Sequence, residues 1–587
     1  MSSILRSPFL STIRESLPSP LILLAREIRY QFFVNHAEDR LRGEVENLRK
    51  QWLDIMNASR DLLVELENAV TGKHVLFLTG YGLGSHFLTI EPIIMMALKA
   101  HGCRISSVYC SGSLPACEFN MVGNNEPPMP KNFLGGITDD AIHYCCKKCT
   151  NNIRSVYELF PLELHGYGEY LSAEDYRDAR ELAAQVPFNE FRKCIHNDIA
   201  VGEEVFASIL RVTFKGTVED TKENRLLVTR YLYSGILMAK AAENAYRLLK
   251  PDRVAMIHGV YLTHGISAKV ATKLGIPVVI IGGGGIRKDT VVMCHGETYH
   301  HQLIKEPNSL WENDEISTAD RNKVMSYTKK KRCAGGGADY LNYHPNPMED
   351  SEQLLNDLQI DRSREIVSVY TNVIWDAQIF YEGNAFKDIF DWLFTTIEFL
   401  GKNENVWGVI RIHPAEKKGA LPTRQPMEPE IRKHFPNLPS NIRIISPESD
   451  ISSYTLGELS RAAIIYGTKM GLELALMKIP LIVCGETFSR NKGYGLDIIS
   501  REQYEELLVG IHKYNPPTNE GFERAIRYAN YFYFRRMLDL PFTTDVSGKN
   551  GYEKRINLES LGDLLPGKNE KIDVICDGII DLKSFHL

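Results

Sequence analysis

The sequence predicts an α/β protein made of two doubly wound halves, each a parallel sheet clothed by helices. Three observations predict it. Strand and helix alternate from Val75 onward. A clean βαβ unit runs through Val254–Ile257, Leu262–Leu274 and Ile276–Ile281. A second alternating series then opens at Ile366–Tyr370. Repeated βαβ units imply parallel strands joined by right-handed crossovers.

At 587 residues the chain exceeds what one core supports and should form more than one domain. A hydrophobic content of 44% and a charged content of 24% are ordinary for a soluble globular protein. The net charge of −6 supplies no basic field to recruit nucleic acid. No apolar run reaches the roughly 18 residues needed to span a bilayer. The short run Leu21–Ala25, crowded by Pro18 and Pro20, makes a poor signal peptide. A cytoplasmic setting is expected, with most of the 11 cysteines reduced.

Residues 1–70 read as a helical arm, with apolar positions near helical spacing over Glu38–Ala69. Leu21–Phe33 mixes apolar residues with Arg26 and Arg29, which also suits homo-oligomerisation or a membrane surface. Residues 71–330 form the first α/β domain. It begins with strand Val75–Thr79, the Gly80-Tyr81-Gly82-Leu83-Gly84-Ser85-His86 turn, a helix to Ala100 and strand Ile105–Tyr109. Residues 331–364 read as a linker: Lys329–Arg332 is basic, Gly335–Gly337 follow, and Pro345 and Pro347 come next. The basic run reads as a solvated face, with an anionic acceptor or lipid headgroup as its alternative. Residues 365–545 form the second domain, with strands Trp407–Ile412, Ala462–Tyr466 and Leu481–Cys484, and an aromatic-rich helix Gly521–Leu538. Residues 546–587 read as a tail.

The candidate chemistry sits at the carboxyl ends of strands, where open α/β sheets bind ligands. Pro414 disfavours the helical region for the residue before it and holds His413 extended at the mouth of its strand. An imidazole there can donate to a nucleotide phosphate oxygen and ease its departure. Arg411 lies two residues back on the same face and can add charge. Gly467-Thr468-Lys469 is a glycine turn with a hydroxyl and a point charge, and it opens a helix on Leu472-Glu473. Glu473 can accept from ribose hydroxyls, or simply favour a helix start. Asn372 and Asp376 follow the first strand of the second half; Asp376 suits either a helix cap or a substrate ligand.

In the first half, Gly80-x-Gly82-x-Gly84 is not a dinucleotide fingerprint, because its third glycine position is Ser85 and the following acid is missing. A loop touching an acceptor, with His86 or Glu91 behind it, fits better. His258, His295 and Glu297 are candidates for the acceptor-side base, against a default of buried, hydrogen-bonded side chains. Cys110, Cys117, Cys146 and Cys149 include one C-x2-C pair; a structural metal is the weaker reading beside buried thiols. There is no Walker P-loop, nucleophile elbow or H-E-x-x-H site.

The runs Tyr370–Gln378, Arg411–Glu416 and Ile465–Glu473 resemble the bacterial capsule polysaccharide biosynthesis family. That family is similar to the β-Kdo transferases of capsule lipid linkers, and more remotely to bacterial sialyltransferases and teichoic-acid glycerophosphotransferases. The resemblance covers roughly residues 70–545, with its specific motifs in the carboxyl half. It implies a GT-B architecture, two Rossmann-like domains facing across a cleft with the donor on the second. It also implies that His413 and Pro414 bind the donor phosphate, that Thr468, Lys469 and Glu473 contact the donor, and that no metal or cofactor is needed. No acidic motif in the amino half matches the base of the sialyltransferases.

The expected function is therefore a GT-B glycosyltransferase. It would move a sugar from a CMP- or UDP-linked donor to a surface polysaccharide or its lipid-linked acceptor, in the cytoplasm or at the inner face of the membrane. The alternatives are a CDP-polyol phosphotransferase, a non-catalytic capsule assembly or export factor and, more weakly, a sugar-nucleotide epimerase.

Overall fold

The computed structural model describes residues 43–68, 70, 72–82, 84, 87–118, 140–283, 287–298, 303–332, 339, 346–377, 383–418, 423–514, 519–540, 542–545 and 554–587. The arm segment Leu21–Phe33, His86 and the glycines Gly335–Gly337 lie outside the described residues.

The first sheet contains β1 (His74–Leu78), β2 (Arg104–Tyr109), β3 (Glu163–Gly166), β4 (Arg253–Ile257), β5 (Val278–Gly283) and β6 (Thr290–His295). β1 pairs in parallel with both β2 and β4, β2 with β3, and β4 with β5. β6 runs against its neighbour β5. β1 is buried along its whole length, which is why His74–Leu78 reads as a continuous apolar run and not as an alternation. The chain lays β1, β2 and β3 outward in one direction and then returns to the other side of β1 for β4. The switch point therefore falls between the carboxyl ends of β1 and β4.

The second sheet repeats the plan. Its strands are β7 (Glu365–Tyr370), β8 (Val406–Arg411), β9 (Ile442–Ile445), β10 (Ser460–Ile465), β11 (Leu481–Val483) and β12 (Leu496–Asp497). They lie in the order β9-β8-β7-β10-β11-β12, and every pairing is parallel. Its switch point lies between β7 and β10. The two-domain, Rossmann-like α/β architecture expected from the sequence is thus present.

Four elements differ from expectation. The helix expected over Leu262–Leu274 is a π turn, Tyr261–Gly265, followed by an α-helix, Ile266–Lys273. The aromatic helix is α-helical over Asn519–Asn530 and a π turn over Tyr531–Arg536, after which Leu538 enters a strand. That strand, β13 (Leu538–Asp539), returns to the first sheet and pairs antiparallel with β6. Lys329–Arg332 are not a linker but the last turn of helix Thr318–Arg332, whose Val324 and Tyr327 lie in the core of the second half. The expected tail carries helix Glu570–Ile580, and its Ile572, Ile575 and Ile579 pack into the core of the first half. Trp52, from the helix over residues 43–58, fills the same core and donates to the Leu88 carbonyl at 3.1 Å. No helix among the described residues is long and apolar enough to cross a membrane.

Candidate functional site

At the second switch point, side chains tie the strand ends together. Asn372 follows β7, and its Oδ1 accepts from the Gly467 N–H, beyond β10, at 3.2 Å. Thr371 Oγ1 accepts from the His413 N–H at 3.0 Å, which brings the end of β8 to the same place. The Ala415 N–H in turn donates to His413 Nδ1 at 3.1 Å. With Nδ1 used as the acceptor, the neutral imidazole carries its proton on Nε2. Pro414 leads into the short helix Ala415–Lys418 that supplies this N–H. Glu416, in that helix, accepts from the Met427 N–H at 3.0 Å, and burial lifts its carboxyl to about 7.

Arg411 does not add charge beside His413. Its side chain is buried and donates to the carbonyls of Ser446 (2.7 Å) and Ser449 (3.4 Å) and to Ser453 Oγ (3.2 Å). Desolvation lowers its pKa to about 10. The side chain braces the loop after β9, because a buried guanidinium must spend its donors on nearby acceptors.

The glycine turn is partly buried. Thr468 Oγ1 accepts from the Met470 N–H at 3.4 Å, and the Thr468 carbonyl accepts from Thr487 at 3.2 Å. The following helix, Met470–Leu476, is only seven residues long. Lys469 is 38% exposed and stands 3.5 Å from Asp339. Glu473 is buried: Oε1 pairs with Lys331 Nζ at 2.5 Å, and Oε2 accepts from the Tyr454 hydroxyl at 2.6 Å.

At the first switch point the backbone is strained. His258, Gly259 and Tyr261, just past β4, have φ values of 62°, 64° and 72°. For His and Tyr these are sparsely populated conformations, of the kind that gathers at functional sites. Gly259 is needed for space as well, since a Cβ would sit 1.8 Å from the Glu297 carbonyl oxygen. Burial, and then the charge of Arg211, lower His258 to about 4 against the opposing pull of Asp376, so its ring is neutral at pH 7. Behind it lies a buried polar quartet. The Tyr81 hydroxyl is bonded to Glu118 Oε1, to Thr263 Oγ1 (2.7 Å) and to His264 Nδ1 (3.1 Å). Thr263 also donates to Glu118 Oε1 at 2.6 Å. Desolvation raises the Glu118 carboxyl and lowers His264 to about 3.

The other first-half candidates have internal partners. Glu91 accepts from the Gly80 N–H at 3.1 Å and is bonded to the Tyr157 hydroxyl at 2.6 Å; burial lifts it to about 8. Gly82 packs on the helix Asp140–Tyr157, where a Cβ would meet the Cys149 carbonyl oxygen at 2.0 Å. Its N–H donates to Cys149 Sγ at 3.2 Å. Gly84 accepts from the Phe87 N–H at 3.3 Å and leads into helix Phe87–Ala100. His295 is at the wrong edge: β6 is antiparallel, so its carboxyl end pairs with Val279 at the amino end of β5. There its Nε2 is bonded to the Gly578 carbonyl at 2.9 Å and its ring lies against Phe585. Glu297 follows it, with its carbonyl packed on Gly259. Cys110, Cys117, Cys146 and Cys149 form no metal-holding group; no cluster of three or more His, Cys, Asp or Glu residues does so among the described residues.

The two switch points are joined. Asp376, from the loop after β7, accepts from the Tyr261 hydroxyl at 2.7 Å and from Arg211 at 3.0 Å, both in the first half. Arg211 also lies over the rings of Tyr261 (5.7 Å) and Trp375 (5.2 Å). Phe214 meets Trp375 edge-on, with centroids 4.9 Å apart. Asp376 is thus a bridge and not a helix cap; the next described helix, Ile389–Gly401, is capped by Asp388. Sequence reasoning missed Arg211, Tyr261, Glu118, Thr263 and His264, and it read Lys331 only as part of a solvated basic run. Tyr261 had one usable signal, its place three residues after His258 in a glycine-bearing strand end.

No protein-family model matches the chain, and no curated protein matches it. Among solved structures it is similar to the Thermosulfurimonas dismutans KpsC β-Kdo 2,4 transferase, with 11% identity, 54% of this chain and 87% of that chain covered, and a TM-score of 0.31. The β-Kdo 2,7 transferase of KpsC from the same organism shows 12% identity, coverage of 56% and 90%, and a TM-score of 0.30. UDP-GlcNAc 2-epimerase from Neisseria meningitidis shows 11% identity, coverage of 77% and 97%, and a TM-score of 0.23. Likenesses this distant assign no activity, and the architecture rests on the order and pairing of the strands.

Proposed function

We propose that the chain is a glycosyltransferase that moves a sugar from a nucleotide-activated donor to a hydroxyl of a surface polysaccharide or its lipid-linked acceptor. The observation that carries the reading is the pair of facing switch points, with His413 at one and His258 at the other. The donor nucleotide lies on the second half, against Gly467, Thr468, Lys469 and Asn372. His413 donates a hydrogen bond from Nε2–H to the phosphate oxygen that leaves, and keeps its proton. The acceptor lies on the first half, where neutral His258 takes the hydroxyl proton. The acceptor oxygen forms a bond to the anomeric carbon as the bond from that carbon to the phosphate oxygen breaks. The electron pair departs with the nucleotide, and its charge is met by His413 and Lys469. A lipid-linked acceptor would place this reaction at the inner face of the cytoplasmic membrane.

The test is a thermal-shift screen against CMP, CDP, UDP and GDP, repeated with His413→Ala. A ligand at about a hundred times its dissociation constant adds about 2.7 kcal/mol of stability. One nucleotide should stabilise the wild type, and the variant should lose that response. Turnover of the matching donor then separates release of nucleotide plus sugar from release of nucleotide plus polyol phosphate. Absence of both binding and turnover would favour an assembly factor that merely keeps the fold.

A further inference from the structure

We propose that Lys331 is a positioning residue of the donor site, holding the Glu473 carboxylate aimed at the nucleotide's ribose hydroxyls. The inference rests on the donor reading above and adds a residue of the basic run Lys329–Arg332, which reads in the sequence as a solvated face. Lys331 sits in the last turn of helix Thr318–Arg332, among basic neighbours, yet its side chain is only 3% exposed. A lysine is almost never buried to this degree unless it is paired. Its Nζ stands 2.5 Å from Glu473 Oε1 and 3.0 Å from Asp339 Oδ2, and 5.5 and 5.4 Å from the ring centroids of Tyr327 and Tyr533.

Burial pulls the Lys331 ammonium down, but Glu473, Tyr533, Asp339 and Tyr327 together hold it well above the ordinary lysine range. Asp339 is likewise raised by burial and pulled lower overall by Lys331, Lys469 and Tyr327. The groups facing Glu473 are therefore Lys331 from one helix, the Tyr454 hydroxyl from another, Tyr533 from the π turn, and Asp339 with its partner Lys469. Among the described residues, only Lys331 is a cation in direct contact with the carboxylate. A carboxylate oxygen has two acceptor sites, so one proton donor on each oxygen still leaves Glu473 able to accept from a ribose diol. Without Lys331 the carboxylate loses its charged partner at Oε1 and is no longer held in that direction. A Glu473 side chain that turns away presents no acceptor to the ribose.

The experiment measures affinity for whichever of CMP, CDP, UDP and GDP binds the wild type, by calorimetry at neutral pH. Four further proteins are compared: Lys331→Met, Lys331→Arg, Glu473→Gln and the double variant Lys331→Met/Glu473→Gln. Lys331→Met should bind at least about tenfold more weakly than wild type, as removal of a charged partner implies. Lys331→Arg should follow the wild type. The double variant should bind like Glu473→Gln alone, because Lys331 acts through Glu473.

Affinity of Lys331→Met equal to wild type overturns the inference, as does an equal loss in Lys331→Arg. If Lys331→Met does not fold, the double variant decides. Binding weaker than that of Glu473→Gln shows a merely structural lysine, and equal binding supports the inference. If no nucleotide binds the wild type, the donor reading itself falls.

Discussion

The Tyr261 hydroxyl donates to Asp376 Oδ1 at 2.7 Å, and this one bond runs from the switch point of the first sheet to that of the second. Tyr261 reaches it only by adopting a φ of 72°, at the start of a π turn that interrupts the expected helix. Arg211 arrives at the same carboxylate from a separate helix of the first half. The bridge fixes how far His258 stands from the donor-side turn, so it bears on alignment more than on either binding site. Asp376 is 54% exposed, and the ion pair alone is therefore worth little to stability.

Asp376→Ala is accordingly expected to leave nucleotide affinity within about twofold and to lower turnover by at least about tenfold, since alignment of the two substrates is needed only for reaction. Steady-state kinetics with the donor varied would show a fall in kcat with KM nearly constant. A rise in KM at constant kcat would place Asp376 in the donor pocket instead.

His413 donates from Nε2 because the Ala415 N–H occupies Nδ1. Removing one donor to a developing oxyanion typically costs about 10²- to 10³-fold in turnover, and His413→Ala should fall in that range. His413→Gln retains an N–H and should lose less. Equal losses in the two variants would mean that the ring does something other than donate a hydrogen bond.

His258 must be unprotonated to accept a proton. Its pKa is lowered to about 4, first by burial and then by Arg211, while Asp376 opposes the shift. Turnover should therefore hold from neutral pH down to about pH 5 and fall below that as the ring protonates. Asp376→Asn removes the opposing charge and should move this acid limb lower. His258→Ala should abolish the limb and cost about 10²- to 10⁴-fold in turnover. An unchanged pH profile in His258→Ala would transfer the base role to another group, with Glu118 next in position.

Much of the fold was legible because its strands are buried on both faces. Runs such as Val254–Ile257 and Ile366–Tyr370 carry no competing periodicity. The donor-side residues were legible for a related reason, as His413, Asn372 and Gly467 all follow such runs directly. Strand direction was not legible. Thr290–His295 is as apolar as its neighbours, and nothing in it signals that β6 runs antiparallel and carries His295 to the far edge. Nor does a run of four basic residues reveal which one turns inward; the Lys331 side chain is buried because Asp339 and, far along the chain, Glu473 lie opposite it. The return of Leu538–Asp539 and Glu570–Ile580 to the first half is a long-range contact of the same kind.

Glu91 gives a stability prediction independent of any substrate. Its carboxyl is fully buried between the Gly80 N–H and the Tyr157 hydroxyl, and burial raises it from 4.5 to about 8. Below about pH 4.5 it is protonated in both the folded and the unfolded chain and takes nothing from stability. As pH rises from there to about 8, the unfolded chain gives up the proton while the folded one keeps it. Stability then falls by about 1.4 kcal/mol per pH unit on account of this group. Above about 8 both states are ionised and the loss is complete. Glu91→Gln keeps an acceptor for the Gly80 N–H and a donor for Tyr157 but cannot ionise. Chemical denaturation at pH 5, 6.5 and 8 should show the variant gaining on the wild type at each step. Other raised carboxyls, among them Glu204 and Glu416 at about 7, slope both proteins alike and cancel in the comparison. A difference that stays constant with pH would mean that Glu91 is ionised in the folded chain, and that the turn after β1 is held by a charge.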